Sequence, residues 1–195
     1  MATDVGVDAP VGCDLTRDPK DSLACVADSV GMFVDATTGD DAAGDGSKAK
    51  PLKTIGKALE KVGSRPRIYV CDGTYAEDVV LDATHDGVSL YGGWKCGDWT
   101  YSGAKPVVGK SAEAMRIDSL TKPIVVADID AKAADGAGAG SNSVAIRIVQ
   151  SANVSLVRVK LEAGVGQPGA NGTQPAQASK AGDGVSSASS TGGAQ

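Results

Sequence analysis

Apolar residues in the middle of the chain recur first at the spacing of a helix. One set falls three and four positions apart, which places its side chains on one helical face, and it consists of Leu52, Ile55, Leu59 and Val62. Pro51 suits the first helical turn, and Gly63 suits the position just past the end. The pattern therefore predicts one amphipathic helix near residues 52–62.

Beyond the helix, the pattern changes to short runs rich in β-branched and aromatic residues, separated by Gly, Asp, Asn and Ser. We predict strands from these runs. They are Arg67–Val70, Asp78–Leu81, Val88–Tyr91, Ala114–Ile117, Ile124–Ile129, Val144–Val149 and Asn153–Leu161.

The strand positions recur at long, nearly fixed intervals. Val88, Ile124 and Val154 are separated by 36 and 30 residues, and a second series through Leu81, Ile117 and Ile146 has similar intervals. Each repeat then contains two short strands followed by a longer connecting segment. Antiparallel hairpins would instead place strands every 8–12 residues with tight turns. We predict stacked coils of a parallel solenoid, in which each coil pairs with the one before it.

Composition divides the chain into three parts. Residues 1–47 contain ten Asp against two basic residues, and we expect residues 1–30 to form an acidic, extended and solvated arm. Residues 48–162 carry nearly all the β-branched and aromatic residues, and we expect the folded domain to span residues 31–162. Residues 163–195 are dominated by Gly, Ala, Ser and Gln, a composition that predicts a flexible tail or linker.

The four cysteines allow three pairings. None has the spacing of a zinc or redox motif, and the lone His85 cannot complete a zinc site. The simplest interpretation is two local disulfides, Cys13–Cys25 and Cys71–Cys96, each contributing roughly 3 kcal/mol in the chain-entropy model. Disulfides place the protein in the periplasm, on the cell surface or outside the cell. The alternative, four reduced thiols in the cytosol, is favoured by the absence of a basic and apolar leader after Met1.

Several motifs occur in an order that resembles a known family. They are Gly31–Asp35 (GMFVD), Lys50–Ile55 (KPLKTI), Ile68–Tyr75 (IYVCDGTY) and Val88–Trp94 (VSLYGGW). Over residues 31–94 the chain resembles the bacterial domain of unknown function that opens many pectin-lyase-like proteins. The resemblance implies an all-β fold, a short, right-handed, single-stranded parallel β-helix whose N-terminal end is capped by the amphipathic helix. It also implies an exported surface protein or lipoprotein.

Charge and hydropathy exclude two classes of partner. The net charge of −5 argues against a nucleic-acid binder, which needs a basic face to neutralise phosphates. We find no run of about 18 apolar residues that could cross a membrane. Nothing obvious after Leu161 caps the far end of the solenoid, so we expect further coils or an oligomer contact there.

Enzymes of the resembled fold act on acidic polysaccharides with paired Asp residues, calcium and a catalytic Arg or Lys. Asp128 and Asp130 lie two apart in a predicted strand, so both could face the same way, and Arg147 falls on the next coil. These three are the candidate catalytic residues of an alternative hypothesis, a lyase or glycosidase that uses calcium. The larger motifs of the pectate lyases and polygalacturonases are absent from the sequence. Otherwise we predict no metal or cofactor.

The leading hypothesis is a non-catalytic surface or scaffold protein that binds carbohydrate. Tyr91, Trp94, Trp99 and Tyr101 are four of the seven aromatic residues in the chain and fall within eleven positions. Flat rings of this kind cover the apolar face of a pyranose, although packing of a long loop would use the same residues. A second candidate patch for acidic sugars is the set of basic residues beside the predicted helix, namely Lys48, Lys50, Arg65 and Arg67.

Overall fold

The structure, a computed structural model, describes residues 8–173. Within this range the chain forms strands β1 (Gly31–Val34), β2 (Arg67–Cys71), β3 (Thr74–Tyr75), β4 (Val79–Leu81), β5 (Ser89–Trp94) and β6 (Val107–Val108). The later strands are β7 (Glu113–Asp118), β8 (Ile124–Ala127), β9 (Asp130–Lys132), β10 (Val144–Val149), β11 (Val154–Val157) and β12 (Lys160–Glu162). A single α-helix, α1, spans Ile55–Lys61 in the described range.

These strands form three parallel sheets. Sheet A has the order β1-β2-β5-β8-β11, sheet B the order β12-β9-β6-β3, and sheet C the order β10-β7-β4. The chain passes from sheet C to sheet A to sheet B and then begins the next coil. The predicted parallel β-helix is therefore confirmed.

The pairing register follows the repeat intervals seen in the sequence. Leu90 pairs with Val126 at an offset of 36, and Ile124 pairs with Val154 at an offset of 30. In sheet C, however, the second offset is 31, because Ile148 and not Ile146 pairs with Ile117.

Each complete coil contains three strands, whereas the sequence predicted two. The third strand lies in sheet B and is only two or three residues long, as in β6 (Val107–Val108) and β9 (Asp130–Lys132). Such short strands leave no periodic signal. The predicted strands Ile124–Ile129 and Asn153–Leu161 are each broken at a left-handed residue, Asp128 and Arg158, both with φ 53°. This residue turns the chain from sheet A into sheet B.

Side chains stack in register inside the coils. The inward row of sheet A is buried through its first four members and continues to the last coil; it consists of Met32, Ile68, Leu90, Val126 and Leu156. In sheet C, Leu81 and Ile117 are both fully buried, and Ile148 below them is 42 % exposed. The apolar interior thus reaches the C-terminal end of the described coils.

Helix α1 covers the opposite end of the solenoid, as predicted, by packing against β1, β2 and β4. It begins at Ile55, three residues later than expected, because the Thr54 side chain caps it by accepting from the Lys57 N–H. Leu52 instead forms a parallel bridge to Val34. The carboxylate of Glu77 accepts from the N–H groups of Ile55 and Gly56, which ties the helix to the first coil.

Both predicted disulfides, Cys13–Cys25 and Cys71–Cys96, are present. No helix in residues 8–173 is both long enough and apolar enough to cross a membrane. At the start of the predicted tail, Val165 accepts from the Gly136 N–H, so this part of the chain runs beside the loop of the previous coil. The rest of the predicted tail, residues 174–195, lies outside the described residues.

Stacking in the interior predicts a large difference between two neighbouring residues of β4. Leu81→Ala should lower the free energy of unfolding by about 2–5 kcal/mol, because Leu81 is fully buried and stacks on Ile117 of the next coil. Val80→Ala is the matched control, since Val80 points outward and is 45 % exposed; it should cost under about 1 kcal/mol. Urea unfolding of both variants measures the change in the free energy of unfolding. Equal decreases in the two variants would contradict an interior built from the inward-pointing rows.

Candidate functional site

The aromatic residues predicted to bind ligand lie on the outer face of sheet A. There, Phe33, Tyr69 and Tyr91 occupy one register row on consecutive strands. The Trp99 ring meets Phe33 edge-on with ring centroids 4.7 Å apart, and Trp94 meets Tyr69 in the same way at 5.6 Å. These rings form a second apolar core outside the coils.

Burial argues against a sugar-stacking platform made of these rings. Trp94 is fully buried and Trp99 is 4 % exposed, and Tyr101 meets Trp94 edge-on with ring centroids 5.6 Å apart. The indole N–H groups bond inward, Trp94 to the Tyr91 carbonyl and Trp99 to the Lys48 carbonyl. A ring that shows almost no face to solvent cannot cover a pyranose. These aromatic residues instead pack the loop against the outer face of sheet A, which was the competing interpretation.

The N-terminal arm covers this aromatic row. Cys25 and Val30 are fully buried, so this end of the arm is packed, whereas Val11 and Leu15 nearer the N-terminus are exposed. The Tyr69 hydroxyl donates to the Cys25 carbonyl at 2.5 Å. The Arg67 Nη2 donates to the carbonyls of Leu15 and Arg17, each at 2.9 Å. The disulfide to Cys13 closes the loop between these attachment points.

A groove remains between the arm and the outer face of sheet A. Its volume is about 490 Å³, and its lining includes Leu15, Asp18, Arg67, Ser89, Tyr91 and Ser155. The lining combines hydroxyl groups, an aromatic ring, aliphatic side chains and two charges. This mixture, in a concave and largely preformed site, is typical of a binding site for an organic ligand.

Arg67 is the unusual residue of the groove. It lies at the start of β2 with only 2 % of its surface exposed, and its guanidinium lies 5.1 Å from the centre of the Tyr91 ring. Its Nη2 holds the arm, whereas its Nη1 is buried and has no hydrogen-bond partner within residues 8–173. The sequence analysis placed Arg67 in a candidate patch of basic residues beside the helix. Because Arg67 is buried, it does not belong to such a surface patch.

The other charge of the groove, Asp18, is already paired. Arg158 Nη2 lies 2.6 Å from an Asp18 carboxylate oxygen, and the same guanidinium makes two bonds of 2.7 Å to Asp128. These carboxylates raise the pKa of Arg158 further above its usual value, and the hydrogen bonds that Arg158 donates to Asp128 are the largest cause. Asp128 is 3 % exposed and serves this network at the corner of the coil.

The structure does not bring the candidate catalytic residues together. Asp128 is the corner residue where the predicted strand breaks, so it and Asp130 do not share a strand face as expected. Asp130 lies on sheet B, where Lys105 Nζ is 3.7 Å from its carboxylate. Arg147 lies on sheet C and pairs with Glu113.

Asp130 borders a smaller pocket of about 180 Å³ with Lys132, Lys160 and Glu162. Hydrogen bonds from Lys132, and then from Lys160, lower the pKa of Glu162, and the bond to Glu162 raises the pKa of Lys160. These two groups are therefore charged at neutral pH. A general acid or base works best with a pKa near the working pH, which neither of them has.

The candidates for metal binding are engaged in other bonds. In residues 8–173, one cluster of ligand-type side chains occurs, Asp35 with Cys71 and Cys96, but the two cysteines form a disulfide. In the turn that follows β1, Asp40 accepts from two backbone N–H groups, and Asp41 accepts from the N–H groups of Lys53 and Thr54. These carboxylates act as backbone caps, and a role for calcium stays a prediction.

Comparison with known families identifies one part of the chain. Residues 37–96 match the model of a family described as "Protein of unknown function (DUF1565)". This match confirms the resemblance to a domain of unknown function. The matched range contains α1 and the groove residues Arg67, Ser89 and Tyr91, but not the arm. The link to pectin-lyase-like proteins stays a prediction. No curated protein and no solved structure matches the chain.

Attachment of the arm through Tyr69 predicts a pH dependence of stability. Burial raises the pKa of Tyr69 from 10.0 to about 12. Above pH 10 the unfolded chain ionises this tyrosine and the folded protein does not, so this contribution to stability is present below pH 10 and is lost toward pH 12. Between pH 10 and pH 12, the free energy of unfolding of Tyr69→Phe should therefore fall by about 1–3 kcal/mol less than that of the unmodified protein.

The measurement is the free energy of unfolding of both proteins from pH 8 to pH 12. Burial also raises the pKa of Tyr75 and Tyr91, but both residues remain in the variant, so the difference between the two curves isolates Tyr69. Below pH 10 the two curves should run parallel. Parallel curves up to pH 12 would contradict a buried, neutral Tyr69.

Proposed function

We propose that this protein is a non-catalytic, exported β-helical module that binds a carbohydrate chain in the groove beneath its N-terminal arm. The observation that carries the proposal is the groove itself, about 490 Å³ in volume, on the outer face of sheet A. The binding region thereby moves from the buried Trp94–Tyr101 loop to the neighbouring surface.

The lining of the groove suits a sugar. A carbohydrate presents hydroxyl groups at its edges and C–H groups on its faces, so its site needs polar and apolar groups side by side. Ser89 and Ser155 supply hydroxyls from the floor, and Leu15 and Pro123 supply aliphatic surface. Since adjacent strands are about 4.7–4.9 Å apart, a floor that crosses several coils accommodates an extended chain.

The charges in the groove favour binding over catalysis. Asp18 is the only carboxylate among the described residues that line the groove, and it pairs with Arg158. Acid–base cleavage of a polysaccharide uses two groups that flank one bond. The alternative enzyme, a lyase or glycosidase using Asp128, Asp130 and Arg147, requires three residues that lie at a coil corner and on two different sheets.

The disulfides support export. Cys13–Cys25 closes the arm that forms one wall of the groove, and Cys71–Cys96 ties β2 to the aromatic loop. Such bonds persist in the periplasm, on the cell surface and outside the cell. A surface or periplasmic module would meet polysaccharides in those compartments.

Filling the groove tests the proposal. Ser155→Trp places a bulky ring on the exposed floor, and we expect it to weaken carbohydrate binding at least roughly tenfold, because the added ring occupies the space of the ligand. Val80→Trp is the matched control, since Val80 is an exposed outward residue of sheet C, away from the groove. Binding is measured on an array of neutral and acidic glycans, with and without calcium, using the oxidised proteins.

Three outcomes count against the proposal. Equal binding by both tryptophan variants would place the carbohydrate elsewhere. Release of unsaturated or shortened products would show an enzyme. Binding to no glycan would leave a scaffold role as the remaining hypothesis.

A further inference from the structure

The last described coil leaves one end of all three sheets open. Within residues 8–173, strands β10, β11 and β12 each have a hydrogen-bonded neighbour on one side only. The inward rows of the three sheets end in this coil with apolar side chains that solvent partly reaches, namely Ile148, Leu156 and Leu161. Open strand edges and exposed apolar rows are both unfavourable in water, and proteins pair or cover them. This end of the described coils therefore has the properties of a docking surface.

Strand β12 directs hydrogen-bonding groups toward its open edge. On the side of β9, the Lys160 N–H donates to the Ile129 carbonyl. The Glu162 carbonyl accepts from the Ala133 N–H on the same side. Because alternate residues of a strand direct their backbone groups to opposite edges, the N–H and the carbonyl of Leu161 point away from β9. Leu161 thus presents one donor and one acceptor to a further strand.

The sequence of β12 is complementary to itself in the antiparallel sense. When Leu161 of two copies lie opposite each other, each Leu161 N–H donates to the other Leu161 carbonyl, as in the hydrogen-bonded pair of an antiparallel ladder. The same register places Lys160 of each copy opposite Glu162 of the other. These two side chains lie on the outward face, where they are 63 % and 43 % exposed. Opposite charges that face each other across antiparallel strands attract.

A second copy also matches the apolar part of this surface. Ile148 and Leu161 are 42 % and 49 % exposed, so whatever covers them has to supply apolar side chains. The residues that follow in the chain are poor in such side chains: among Val, Ile, Leu, Met and the aromatic types, residues 174–195 contain only Val185. A second copy supplies the same three apolar rows. A two-fold axis through Leu161 makes the contact closed and self-complementary.

We infer that two copies of this chain associate end to end through the last described coil, with β12 of one copy antiparallel to β12 of the other. Pairing across the open edge is the form of recognition known as strand addition. Helix α1 covers the first coil of each copy. The dimer therefore has a helix at both outer ends and its open strand edges at the centre. This inference does not depend on the proposed binding of carbohydrate.

Sedimentation equilibrium of the oxidised, full-length protein tests the dimer. We expect Glu162→Lys to raise the dissociation constant at least roughly tenfold, because both attractive pairs with Lys160 become repulsive. Lys132→Glu is the matched control: it reverses a charge beside Glu162, but Lys132 lies on β9, which has neighbours on both sides. The control should leave the dissociation constant nearly unchanged. An unmodified protein that stays monomeric up to about 1 mM, or equal weakening by both variants, would overturn the inference.

A pair of complementary variants tests the antiparallel register. Lys160→Glu and Glu162→Lys each place like charges opposite each other, so each variant alone should stay monomeric at concentrations where the unmodified protein dimerises. An equimolar mixture should dimerise, because glutamates then face lysines at both ends of β12. Circular dichroism checks that both variants are folded. A mixture of two folded variants that stays monomeric would reject this register.

Hydrogen exchange distinguishes a second copy from a cover supplied by the same chain. In the dimer the Leu161 N–H should exchange slowly, because it is bonded to the other copy. Dilution below the dissociation constant should make this exchange fast, and Glu162→Lys should do the same at higher concentration. Slow exchange of Leu161 that does not depend on protein concentration would show that residues of the same chain cover the edge, and would overturn the inference.

Discussion

In-register stacking of parallel coils is the constraint on which the rest of this structure depends. Each coil pairs its backbone with the next, so equivalent residues lie directly above one another, as Met32, Ile68 and Leu90 do in sheet A. Stacking of like side chains fills the interior without a conventional two-layer core. It also distinguishes the two ends, because the first and last of the described coils each pair with a neighbouring coil on one side only. Helix α1 covers the first end.

The same stacking organises the outer surface. Register places Phe33, Tyr69 and Tyr91 in one row that faces outward from sheet A, where their exposure would be unfavourable. The arm and the tryptophan loop cover this row and turn it into a second core. The arm does not seal the sheet completely, and the groove is the part that remains open. A requirement of packing thereby generates a concave site with a buried guanidinium in its wall.

The long repeat interval made the solenoid predictable, and the amphipathic spacing made its capping helix predictable. The break at Asp128 was not predictable, since the sequence from Ile124 to Ile129 reads as a regular strand and only its left-handed backbone turns it into sheet B. The same misreading placed Asp128 and Asp130 on one face. The crowding of aromatic residues was compatible with a sugar-binding platform and with packing of a long loop. The burial of Trp94 favours loop packing.

By itself, the sequence predicted the class of fold, the long repeat interval and the resemblance to a domain of unknown function, and its simplest cysteine pairing is the one present. These features depend on local spacing and composition, which are properties of the linear chain. Only the tertiary structure decided which outward row the arm covers, and that Arg67 is buried with one nitrogen that no other described residue bonds. The arm reaches Arg67 from some fifty positions earlier in the chain, and no local pattern records a contact made over that distance.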